Sequence, residues 1–194
     1  MTRLIRAAAL ASLAVCVPGL AEAHTGVHLL SSEGAAAGFA HPFLGLDHLL
    51  AMVAVGLWAA SLGGRARWLV PGSFIALMTL GAIGGASGIT LPAVEPMIAL
   101  SVIALGVLVA LAVRVPTGAA AAMVALFGVF HGAAHGAEMP AMASPLAYGL
   151  GFVAATALLH GAGVALGGLR SRLPTFRLAG GAIALAGVAL ALPL

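Results

Sequence analysis

Six apolar stretches, each close to the roughly 20 residues needed to cross a bilayer's hydrocarbon, follow one another with only short turns between them. They cover residues 41–62, 68–89, 95–113, 117–135, 145–169 and 177–194, and the turns carry Gly, Pro, Ser or Arg. Only 7% of the 194 residues are charged and 62% are hydrophobic. A soluble domain is roughly 25% charged, so this chain cannot clothe a water-facing surface. Disorder is excluded by the same apolar content. Nucleic-acid binding is excluded as well, because the net charge of +3 comes from eight arginines, no lysine and five acids. The expected fold is an all-α integral membrane protein, a six-helix transmembrane bundle.

The first residues read differently. Arg3 and Arg6 form a basic head, residues 4–20 an apolar middle, and Ala21-Glu22-Ala23 a small-x-small exit. That order predicts a secretory signal peptide over 1–23, cleaved after Ala23. Residues 24–194 then form one six-span membrane domain starting at His24. The lone Cys16 leaves with the signal, so the mature chain has neither a disulfide nor a thiolate ligand.

Arginine placement orients the spans. Arg65 and Arg67, Arg114, and Arg170, Arg172 and Arg177 fall in three loops on one side of a six-span layout. The other side has none. The positive-inside rule puts the arginine side in the cytoplasm and both mature termini in the periplasm of a bacterial inner membrane. Trp58 and Trp68 are expected near the inner interface and Tyr148 near the outer one. Gly81, Gly84, Gly85 and Gly88 in the second span, and Gly161, Gly163, Gly167 and Gly168 in the fifth, are expected as packing seams.

Ionisable residues at membrane depth are costly and point to function. The first cluster is His41-Pro42-Phe43-Leu44-Gly45-Leu46-Asp47-His48, followed by Met52. On one continuous helix His41 and His48 share a face, about 20° apart, and Met52 extends it. Asp47 lies to the side, placed either to ligate or to hold an imidazole. In the second cluster His131, His135 and Glu138 line one face at i, i+4 and i+7. His160 stands alone in the fifth span. Imidazole with some carboxylate and no thiolate suits nickel, cobalt, zinc or copper(II).

With a rise of about 1.5 Å per residue, His48 lies about 10 Å in from the outer end of its span, and His160 about 22 Å down the fifth. His131 lies about 21 Å up from the inner end of the fourth span and His135 about 6 Å further out. Such a stepped series suits a translocation path. Met52, His160 and the outer His28 are candidate path residues. A free amine on His24, four residues before His28 and near Glu33, could chelate an ion together with its own imidazole. Histidine–acid motifs in opposite orientation in the first and fourth spans hint at a 3+3 inverted repeat.

At these residues the chain resembles a known family. HPFLGLDHLLAMVAVGLWA and FHGAAHGAE look like the two signatures of the HupE/UreJ family of small nickel/cobalt permeases, and the HTG at His24 and LLHGAG around His160 also fit. The resemblance implies uptake of nickel or cobalt for hydrogenase, urease or cobalamin metalloenzymes. It implies metal positions at His41, Asp47, His48, His131, His135 and Glu138.

The reading is therefore a secondary transporter and not an enzyme, importing Ni2+ or Co2+, with no prosthetic group. His24 joins the six motif residues as a metal ligand. The partners are the ion and the lipid bilayer, with a homo-oligomer or accessory maturation proteins left open. Two rivals use the same residues: an intramembrane metal-dependent hydrolase, and a membrane metal-binding or insertion factor that holds the ion without moving it.

Overall fold

The computed structural model describes residues 34–140, 144–170 and 174–192. The signal sequence, His24, His28 and Glu33 lie outside these. Seven α-helices and no strand occur among the described residues: α1 (Ala35–Ala40), α2 (Leu46–Leu62), α3 (Ala66–Ala86), α4 (Val94–Ala110), α5 (Thr117–Ala137), α6 (Pro145–Arg170) and α7 (Pro174–Ala191). Four of them, α3, α5, α6 and α7, are long and apolar enough to cross a membrane, and α1 with α2 would make a fifth bent span. Helix α4 is apolar apart from Glu95 and Ser101 but has 17 residues. Prolines open α6 and α7, where a missing N–H costs nothing.

The first span departs from the uninterrupted helix expected over 41–62. The chain enters through α1, which the sequence reading lacked, passes a 3-10 turn at His41–Phe43, and bends by 83° into α2. Gly45 takes an extended conformation, φ −97° and ψ 117°, and its carbonyl starts α2 by accepting the Leu49 N–H. A helical face therefore does not run from His41 to His48. The distances along the axis deduced from an unbroken helix fail with it.

The bundle is inside-out, as lipid allows. Leu44, Trp68, Leu146, Leu178 and Leu185 are each at least 70% exposed. Among the described residues the buried polar side chains include His48, Ser101, His131, His135, Thr156 and His160. Exposed leucine is at home against acyl chains, whereas a polar group there would go unsatisfied. Around the polar residues pack Met52, Val55, Phe74, Val102, Leu105, Val124, Phe152 and Leu159.

Close backbone approach builds the bundle. Gly128, Gly132 and Gly136 on α5 lie against the carbonyls of Phe74, Met78 and Ala82 on α3, and Gly81 and Gly85 of α3 answer against Val129 and Ala133. A Cβ on any of these would collide with backbone, so small residues permit what a larger side chain would forbid. Gly163 and Gly167 meet α2 in the same way, as expected. Gly88, Gly161 and Gly168 face open space and Gly84 has only light contact, so those four are not seam positions. The strongest pairings are α3 with α5, α4 with α7 and α2 with α6. Exchanging α2, α3, α4 for α5, α6, α7 maps these pairings onto themselves.

The segments that bear Arg65, Arg114 and Arg177 gather at one end. Trp58 Nε1 donates to the Val113 carbonyl, Arg177 Nε donates to the Ala110 carbonyl, and Arg65 and Trp68 share a cavity wall with Thr117 and Gly118. Trp68 is exposed there, but Trp58 is buried, so Trp58 packs the bundle instead of anchoring it to the interface.

Candidate metal centre

Four elements converge at the other end. The 3-10 turn supplies His41, the first turn of α2 supplies Asp47 and His48, the last turns of α5 supply His131, His135 and Glu138, and α6 supplies an aromatic wall. The local sequence explains the first of these placements. A Cβ on Gly45 would lie 2.9 Å from Asp47 Oδ1 and 3.0 Å from His48 Nδ1. Glycine there leaves room for those two side chains to meet.

They do meet. Asp47 Oδ1 accepts the His48 backbone N–H at 2.8 Å and lies 2.6 Å from His48 Nδ1. A carboxylate can only accept here, so Nδ1 carries the proton and Nε2 is left as a bare lone pair. Nε2 is buried and without a hydrogen-bond partner. Asp47 thus takes the orienting role of the two open to it, fixing the ring and its tautomer from behind.

The rings form two overlapping groups. In the inner one, His48, His131 and His135 each bring a nitrogen to within 4.8 Å of the others, and all three are buried. In the outer one, His41, His135 and Glu138 do the same at the rim. There the Glu138 carboxylate lies 3.4 Å from His41 Nε2 and 3.9 Å from His135 Nδ1, and the His41 and Glu138 side chains are 29% and 36% exposed. His135 belongs to both groups, its ring centroid 4.8 Å from that of His41 and 4.1 Å from that of His48. The bend at Gly45 therefore does not separate His41 from His48. It places them on either side of His135.

Buried polar atoms are ordinarily paired. Here His48 Nε2, His131 Nδ1 and both ring nitrogens of His135 and His160 have no hydrogen-bond partner. Leaving one buried acceptor unsatisfied costs about 1–3 kcal/mol. His48, His131 and His135 each bring one ring nitrogen within 4.8 Å of the others, a donor set that could hold a divalent cation.

Three features were not anticipated from the sequence. Helix α6 carries Tyr148, Phe152, Thr156 and His160 at four-residue spacing, all buried. Tyr148 is thus an inner wall, its ring 5.9 Å from His41, and not the lipid-interface anchor expected of it. Phe152 packs 4.2 Å from His135. Phe74 of α3 stands between the three-histidine group and the lone His160, its centroid 5.4 Å from His131 and 5.1 Å from His160. The third is Ser101 of α4, 2.9 Å from His131 Nε2. The four-residue period of α6 was a usable signal. So was the single hydroxyl in α4. Met52 is fully buried in the core packed around these residues.

Among the described histidines, His41, His135, His48 and His131 form one contiguous patch of rings, and His160 meets Phe74 instead.

The family described as HupE / UreJ protein matches residues 11–190. Protein HupE of Rhizobium leguminosarum bv. viciae is 49% identical over 180 residues, covering 91% of this chain and 93% of that protein. No solved structure matches.

Proposed function

The chain belongs to the HupE/UreJ family, and from that premise we propose that it is a secondary transporter importing a divalent transition-metal ion, nickel or cobalt, across the bacterial inner membrane. The observation that carries the reading is the convergence of ring nitrogens from the buried His48, His131 and His135, each of which also has an unpartnered nitrogen, inside a bundle whose outer face is apolar. Neutral imidazole with a nearby carboxylate, and no thiol, suits such ions better than magnesium or copper(I).

The ion enters at the half-exposed rim, where His41, His135 and Glu138 replace part of its water shell. The Glu138 carboxylate offsets its charge at this stage. His135, common to both groups, then keeps hold of the ion while His48 and His131 replace His41 and Glu138. Exchange of ligands around a shared residue avoids a fully naked ion, which would be prohibitive at low dielectric. Onward movement needs Phe74 to yield, after which His160 offers the next nitrogen. Several sites of moderate strength permit release, whereas one deep site would trap the ion.

In this proposal α1–α2, α3, α4, α5, α6 and α7 are six spans. The arginine end is cytoplasmic, the His41/Glu138 rim faces the periplasm, and both mature termini lie outside. Residues 1–23 are removed as a signal, and the His24 amine and His28 deliver ions to the rim. The protein is not an enzyme.

Uptake of labelled nickel into proteoliposomes tests this. Wild type should accumulate the ion, and His48→Ala, His131→Ala and His135→Ala should each fall to the background of empty vesicles at equal inserted protein. Binding without accumulation by the wild type would favour the metal-binding factor, and metal-dependent hydrolytic turnover the hydrolase. Normal uptake at limiting metal by any two of the variants would refute the path.

A further inference from the structure

Ser101 is fully buried in α4, facing His131 across the bundle. Its Oγ lies 2.6 Å from the Ile98 carbonyl oxygen and 2.9 Å from His131 Nε2. A carbonyl has no proton to give and a hydroxyl has only one. That proton goes to Ile98. Toward the imidazole the Ser101 oxygen can then only accept, so His131 Nε2 must be the protonated nitrogen. A neutral imidazole carries a single N–H, which leaves Nδ1 as the lone pair. His131 Nδ1 is buried and unpartnered.

We propose that Ser101 is a positioning residue that selects His131 Nδ1 as the nitrogen offered to the ion. The inference rests on the metal-site reading above and deepens it. His48 is set the opposite way: Asp47 holds its Nδ1–H and leaves Nε2 free. The inner group is thus built from one histidine ligating through Nε2 and one through Nδ1, each fixed from behind by an acceptor on its other nitrogen. The backing groups differ in charge. Asp47 strengthens its imidazole as a donor by placing a negative charge behind it, while Ser101 fixes the ring with a neutral oxygen. His131 is therefore the weaker of the two donors, as a site that must release its ion requires.

Orientation by such a backing group is typically worth 10–100-fold in metal affinity. Without the hydroxyl, both nitrogens of His131 are unpartnered, the two tautomers interchange, and the ring is free to turn away from the inner group. Replacing serine by alanine removes one oxygen and adds no volume, so the fold is not challenged.

The full chain with 15N-labelled histidine, in lipid nanodiscs without metal, gives a readout independent of transport, and His131 is identified by the signal lost in His131→Gln. Wild type and Ser101→Thr should show His131 as the Nε2–H tautomer, and Ser101→Ala should show a mixture. Nickel affinity should fall about 10–100-fold in Ser101→Ala and return most of the way in Ser101→Thr. A His131 protonated at Nδ1 in the wild type, or wild-type nickel affinity in Ser101→Ala, would overturn the proposal. A wild type with the Nε2–H tautomer but no affinity for nickel would overturn the metal-site reading while leaving the Ser101–His131 bond as described.

Discussion

Gly132→Ala asks whether the glycine seam between α3 and α5 sets the geometry of the metal centre. Gly132 sits between His131 and His135 on α5. An added Cβ would lie 2.7 Å from the Met78 carbonyl carbon, 2.8 Å from the Ala82 nitrogen, and closer still to the Met78 carbonyl oxygen. Those atoms are backbone and cannot turn aside. To restore ordinary contact the two helices must part by about 1.5 Å, well beyond the roughly 0.5 Å tolerance of a positioned site. Alanine is favoured over glycine in a helix by about 1 kcal/mol, but overpacking costs about 1–3 kcal/mol. An immovable backbone neighbour puts the cost near the upper figure. The net is a loss of about 1–2 kcal/mol by that balance. Nickel affinity should fall by about 10–100-fold, the scale on which lost ligand orientation is felt. The control is Gly161→Ala, beside His160 on α6, where the new Cβ meets nothing within 4 Å. The same methyl there should leave stability unchanged or slightly raised. Thermal unfolding in detergent and nickel titration calorimetry on both variants decide the matter. Equal stability and affinity for the two variants would refute the seam argument.

Three further outcomes are expected. Nickel affinity should fall on acidification, because protons compete for the nitrogens that must bind metal; an affinity that stays constant down to the pH at which the protein unfolds would argue against histidine ligation. A C-terminal reporter should be active in the periplasm, and activity confined to the cytoplasm would contradict the six-span layout and its arginine bias. One residue added before His24 should weaken uptake at submicromolar nickel by separating the terminal amine from its imidazole, with His28→Ala less harmful. Equal uptake by the extended and native chains would show that the tail takes no part.

Much of the architecture was legible because lipid imposes simple rules. Apolar runs of spanning length are read directly, and the boundaries of α3 to α7 fall within a few residues of the expected ones. The residues of the centre were legible for the same reason. Histidine is costly in such surroundings, so its presence within apolar runs singles it out. The i, i+4 and i+7 placement of His131, His135 and Glu138 is intrinsic to one helix and survives any packing.

What failed was reasoning that carried helical periodicity across Gly45. A single glycine in an extended conformation turns the chain by 83°, and nothing in the local pattern distinguishes it from a glycine within a helix. The seam glycines show the same limit. Gly161 and Gly163 are equally small, and only the neighbouring helix decides which one meets a backbone.

By itself the sequence determined which segments avoid water and which residues can bind a metal, since both follow from side-chain chemistry and short-range helical spacing. The tertiary structure decided that His135 is shared by two groups, that Phe74 stands before His160, and that Ser101 backs His131. Those are contacts between residues 30 to 94 positions apart in the chain. They depend on which helix faces meet, and that is fixed by packing across the whole bundle, beyond the reach of any local pattern.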